Sequence, residues 1–119
     1  MTDKLKRDLE KAGVLLKDAI SRCVDSEELY ETLLIMFPSD KSYSLLLEAV
    51  EKKNAEEAYL QSHTLKGVAA NIGLEGIYNA TIPIMNLSKA GNTDIPSYMI
   101  DNLKQEYNKI IVIINDNLS

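Results

Sequence analysis

The stretch 54-NAEEAYLQSHTLKGVAANIG-73 decides how this chain is read. Asn54 followed three residues later by Glu57 has the spacing of a capping box, with Asn where Ser or Thr is usual. Gly73 suits the left-handed position just beyond a helix end. Together they predict a helix from Ala55 to about Ile72. At about 100° per residue, Ala58, Leu65, Val68, Ala69 and Ile72 gather on one side and form its core face. His63, the single histidine of the chain, falls on the opposite side and points to solvent.

On either side of this helix the pattern is helix, break, helix. Residues 3–11 read as a frayed opening turn ended by Gly13. A short helix from about Leu15 to Cys23 follows, with Leu15, Leu16, Ala19, Ile20 and Cys23 apolar. Asp25 or Ser26 caps the next helix, and Glu27 and Glu28 sit where the helix dipole favours carboxylates. Its stripe is Leu29, Leu33, Met36 and Phe37. Pro38 then imposes a kink or break. Leu45, Leu46, Ala49 and Val50 resume a helical stripe as far as Lys53.

Beyond Gly73, a helix is expected from Leu74 to about Ala90, stopped by Gly91. Pro83 should bend it, because the carbonyl of Asn79 loses its amide partner. The last helix is expected to start near Asp94 or Ile95, with Pro96 in its first turn. Leu103, Tyr107, Ile110, Ile111 and Ile114 supply its buried face. The run IIVII at 110–114 is locally strand-like, but the helical spacing upstream makes it a buried helix end. The fold class is therefore all-α. The expected architecture is one domain over 1–119: an antiparallel four-helix bundle over about 25–117, with a short N-terminal accessory helix.

Composition excludes several functions. No apolar run approaches the roughly 20 residues that cross a bilayer. The opening MTDKLKRDLEKAG is charged throughout, unlike a signal peptide. One cysteine allows no internal disulfide, which suits a cytoplasmic location. The formal net charge of −5 argues against nucleic acid as a partner. One histidine and one cysteine cannot provide His/Cys zinc spacing. No phosphate-binding glycine loop and no GxSxG nucleophile turn is present.

What remains is the surface around His63. Lys66 and Gly67 follow at i+3 and i+4, the positions beside His63 on a helix surface, and Ala70 lies one turn further on. A glycine inside a helix costs about 1 kcal/mol relative to alanine, so Gly67 calls for a reason. Clearance is one; a helix–helix packing contact is the other. An exposed histidine by itself is ordinarily a solvated residue without a role. Imidazole, ammonium and open space at this spacing instead describe a surface for carrying and handing over a phosphoryl group, whose charge Lys66 would balance.

The segment His63-Thr64-Leu65-Lys66-Gly67, with Gly73 six residues after Gly67, resembles the H-x-L-K-G-x5-G signature of histidine-containing phosphotransfer (HPt) domains. More loosely, helix order and connection lengths are similar over about residues 14–115. The resemblance implies a four-helix bundle that accepts a phosphoryl group on His63 from the aspartyl phosphate of a receiver domain, then passes it to another receiver or returns it. Lys66 matches the cation beside the phosphohistidine, Gly67 the position giving a receiver access, and Gly73 the structural glycine closing the helix. The implied partners are response-regulator receivers, with a hybrid histidine kinase as a further candidate. The magnesium of transfer belongs to the receiver, so no cofactor or metal is expected in this chain. With no ATP-binding region, self-phosphorylation is not expected.

Tyr59, Leu60, Ala70 and Asn71 lie close enough on the wheel to form part of a receiver-docking surface, although Tyr59 and Leu60 could equally pack on a neighbouring helix. Two features depart from the family pattern: Pro38 interrupts what is commonly one long helix, and Pro83 with Met85-Asn86 replaces a frequent Leu-Glu. The rival reading is a helical interaction module that keeps the bundle without the chemistry. A monomer is expected, unless the 110–114 run is exposed and pairs two copies.

Overall fold

The structure is a computed structural model that describes residues 1–118. Helices α1 (Asp3–Lys11), α2 (Leu16–Arg22), α3 (Glu27–Met36), α4 (Ser42–Glu51), α5 (Ala55–Asn71), α6 (Glu75–Lys89) and α7 (Ser97–Leu118) follow in order. A single 3-10 turn, Phe37–Ser39, joins α3 to α4. No strand occurs among the described residues, and the chain is all-α. Helix α5 packs against α4 and α6, α6 against α7, and α1 against α2 and α7.

The frayed opening turn expected at 3–11 is a complete helix. Thr2 Oγ1 accepts from the backbone N–H of Leu5 at 3.1 Å, and Leu5 and Leu9 are fully buried. Two leucines at i, i+4 in a charged stretch look weak in sequence; they join the core where α1 packs against α7 and α2. Side chains bolt α1 to α7, since Lys4 reaches Asp8 at 3.0 Å and Asn117 Nδ2 donates to the same carboxylate at 3.0 Å.

Ser26, one of the two candidate caps for α3, accepts from the N–H of Leu29 at 3.1 Å. The core stripe of α3 needs correction. Tyr30, Leu34 and Phe37 are buried, whereas Leu29 is 44% and Met36 60% exposed. Tyr30 enters the core because its one polar atom is satisfied there: the hydroxyl donates to the carbonyl of Ile72 at 2.8 Å. Proline at position 38 ends α3 as expected, but the break is only one 3-10 turn before α4 resumes. Phe37 at that turn meets Tyr107 of α7 at 5.5 Å between ring centroids, and Tyr43 stacks flat on the same ring at 3.6 Å.

Pro83 lies inside α6 without ending it. Helix α7 begins at Ser97, so Pro96 stands immediately before the first turn and not within it. The apolar run 110–114 is helical and turns Ile110 and Ile114 into the core, leaving Val112 as its exposed member. Ile111 and Ile113 are half-buried, so the run is only partly covered.

Candidate functional site

Helix α5 is built from local signals at both ends. Asn54 Oδ1 accepts from the N–H of Glu57 at 3.1 Å, which is half of the expected capping box. The other half is missing, because the Glu57 carboxylate accepts from Gln61 at 2.8 Å, one turn further along. At the far end, the N–H of Leu74 donates to Ala69 O and that of Gly73 to Ala70 O, the paired bonds of a Schellman ending. Gly73 has φ +72°, and a Cβ there would lie 2.8 Å from the carbonyl oxygen of Leu15 and 3.0 Å from Ala19 Cβ. The glycine thus serves both the turn and the close approach of α2.

The buried face of α5 is Ala58, Ser62, Leu65 and Ala69, with Ile72 buried just past its end and Val68 half-buried. The sequence reading missed Ser62. A hydroxyl is tolerated there because it donates to the carbonyl of Tyr59 at 3.0 Å.

Opposite this face, His63 is exposed. Its ring has no hydrogen-bond partner among the described residues and stacks on the ring of Tyr59, 6.0 Å away and inclined by 23°. Lys66 is half-buried and, among the described residues, has neither hydrogen bond nor ion pair. Gly67 is exposed, and a Cβ built on it meets nothing within 4 Å. A packing contact therefore does not account for Gly67. The same helix face carries an imidazole, an uncommitted cation and bare backbone.

Of the four residues expected at a docking surface, Leu60, Ala70 and Asn71 are exposed and Tyr59 is half-buried. Asn71 also lines an apolar groove with Val68 of α5, Leu33 and Met36 of α3 and Phe37 of the 3-10 turn. Arg22 of α2, which the sequence reading did not single out, donates to Ala70 O at 2.7 Å and brings a second cation to the C-terminal end of this face. No local signal marked it, since its acceptor lies 48 residues away.

The family model for the Hpt domain matches residues 25–111. The chain belongs to the Hpt domain family. No curated protein and no solved structure matches it. The matched span begins at the turn before α3 and contains all of α4, α5 and α6, so the His63 face lies inside it. Helices α1 and α2 lie outside the Hpt span. Hpt domains work with receiver domains in phosphorelays, and among the described residues no helix is long and apolar enough to cross a membrane.

Proposed function

We propose that the chain is a histidine phosphotransfer protein of a two-component phosphorelay, carrying the phosphoryl group on His63. The observation that carries this reading is the exposed, unbonded imidazole with Lys66 and open backbone at Gly67 beside it. We read α3 with α4, then α5, α6 and α7, as the antiparallel four-helix bundle of the family, with α1 and α2 as accessory helices.

A lone pair on an imidazole nitrogen attacks phosphorus in the receiver's aspartyl phosphate. The P–O bond to the aspartate breaks and its electron pair leaves on the carboxylate. The ring keeps the proton on its other nitrogen and becomes cationic, so charge balances without a proton transfer. The same path reversed delivers the group to another receiver. Such transfer asks mainly for positioning and charge stabilisation. The α5 helix fixes the nucleophile, Lys66 faces the phosphoryl charge, and Gly67 leaves room for the incoming domain. The magnesium is the receiver's. Leu60, Ala70, Asn71 and the groove beside Val68 form the receiver-docking surface in this reading. The protein works as a cytoplasmic monomer.

The test is incubation with a phosphorylated receiver and a search for acid-labile, base-stable label. The parent should take up label and His63→Gln none. Equal labelling of both would remove His63 as the site. Receiver binding by the parent without any label from a full set of donors would leave an interaction module without phosphotransfer.

A further inference from the structure

The chemistry above needs the His63 ring held in one attitude, yet among the described residues no hydrogen bond holds it. An imidazole nitrogen attacks along a lone pair in the ring plane, so whatever fixes that plane fixes the line of attack. Side chains on a helix lean toward its N-terminus, over the preceding turn. His63 therefore leans onto Tyr59, four residues earlier, with ring centroids 6.0 Å apart and planes inclined by 23°. This is within the offset-stacked range for aromatic pairs. In the other direction along the helix stands Gly67, which offers no wall at all.

Tyr59 is half-buried. With Ala55 and Glu56 of α5, Ser88 and Lys89 of α6, and Gly91 just beyond, it lines an open hollow between the start of α5 and the end of α6. Its ring stacks with the imidazole. The imidazole gains positive charge as the N–P bond forms, and an aromatic face near it attracts that charge.

We propose that Tyr59 is a positioning residue for phosphoryl transfer, setting the plane of the His63 imidazole by ring stacking; this rests on His63 being the phosphoacceptor. The aromatic face does the work, and the hydroxyl is dispensable. The residue then acts on the transfer step and not on the affinity for the receiver.

The experiment compares the parent with Tyr59→Phe and Tyr59→Leu in single-turnover transfer from a phosphorylated receiver over a range of receiver concentrations. Tyr59→Leu should lower the saturating rate by about three- to ten-fold, the size of an aromatic pair contact, with the half-saturating concentration unchanged. Tyr59→Phe should stay within about two-fold of the parent. A rise in the half-saturating concentration alone would make Tyr59 a docking residue and overturn the proposal, as would a Phe variant as slow as Leu. On the unmutated protein, NMR should give through-space contacts between Tyr59 ring protons and His63 Hδ2, with an upfield ring-current shift; a freely averaging His63 ring would also overturn it. The control is His63→Gln. Label retained there sinks the underlying site, whereas label lost there with an inert Tyr59→Leu sinks only the role of Tyr59.

Discussion

The backbone of Gly73 and that of Leu15 are locked together: the N–H of Leu15 donates to Gly73 O at 2.9 Å, while a Cβ on Gly73 would lie 2.8 Å from Leu15 O. Both the positive φ of Gly73 and this contact oppose any side chain. Gly73→Ala should therefore destabilise the fold by about 2 kcal/mol or more, read as a lower midpoint in urea. A midpoint within error of the parent would mean that α2 does not hold the end of α5.

Gly67, six residues earlier, should behave in the opposite way. It is in a helix interior with empty space around its Cα hydrogen, so alanine meets no neighbour. Gly67→Ala should stabilise the isolated protein by up to about 1 kcal/mol. Transfer from a receiver should nevertheless slow, and more so for Gly67→Leu. Unchanged transfer in both variants would show that the clearance is not used.

Helix α5 was legible because everything defining it is local: Asn54 at one end, Gly73 at the other and a 3.6-residue apolar period between them. The exposure of His63 followed from that period alone. Helix α1 was not legible, because its leucines are buried only by tertiary packing of α1 against α2 and α7, whose Asn117 meets Asp8 across 109 residues of sequence. The α3 stripe was misread for a related reason. Nothing near Tyr30 in sequence reveals that its hydroxyl finds an acceptor at Ile72, so the more apolar Leu29 and Met36 looked like better core residues. Tyr59 against His63 sits at plain i, i+4 spacing, but only the ring geometry, 6.0 Å between centroids at 23°, shows that the two stack.

The Tyr30 hydroxyl ties α3 by a hydrogen bond to the Ile72 carbonyl, just past the end of the histidine helix. Burial pushes its phenol well above the usual tyrosine value, so it remains a donor at any ordinary pH. Tyr30→Phe keeps the packing but leaves the Ile72 carbonyl unpaired in the core, and should cost about 1–2 kcal/mol. Chemical denaturation measures this directly. A cost near zero would mean that water or another donor satisfies Ile72.

Docking of α1 should depend on pH. Glu27 is held below the ordinary carboxylate value by the hydrogen bond from Lys6, and Asp8 by hydrogen bonds from Asn117 and then Lys4. Their contribution is fully present above about pH 4.5 and is lost as pH falls through the depressed folded values. Lys6 is raised by the same Glu27 contact. Its contribution is present below about pH 10 and is lost as pH rises through the raised value. These groups are solvent-accessible, so the effects are small and screened by salt. Lys6→Met should lower the thermal midpoint at neutral pH, and the gap to the parent should close as pH falls through the depressed Glu27 value. A gap independent of pH would show that Lys6 acts through its hydrocarbon stem.

Lys66 separates chemistry from fold most cleanly. It has no hydrogen bond or ion pair among the described residues, so Lys66→Ala should change stability by no more than about 0.5 kcal/mol. If its ammonium faces the phosphoryl group, the variant should accept label about three- to ten-fold more slowly, the size of one charge-assisted contact. Lys66→Arg should recover part of the rate, since the charge returns with a different shape. Added salt should slow the parent more than the alanine variant, because only the parent has the attraction to screen. An alanine variant that transfers at the parental rate and follows the same salt curve would place the cation outside the reaction, leaving His63 and the space at Gly67 to account for the chemistry.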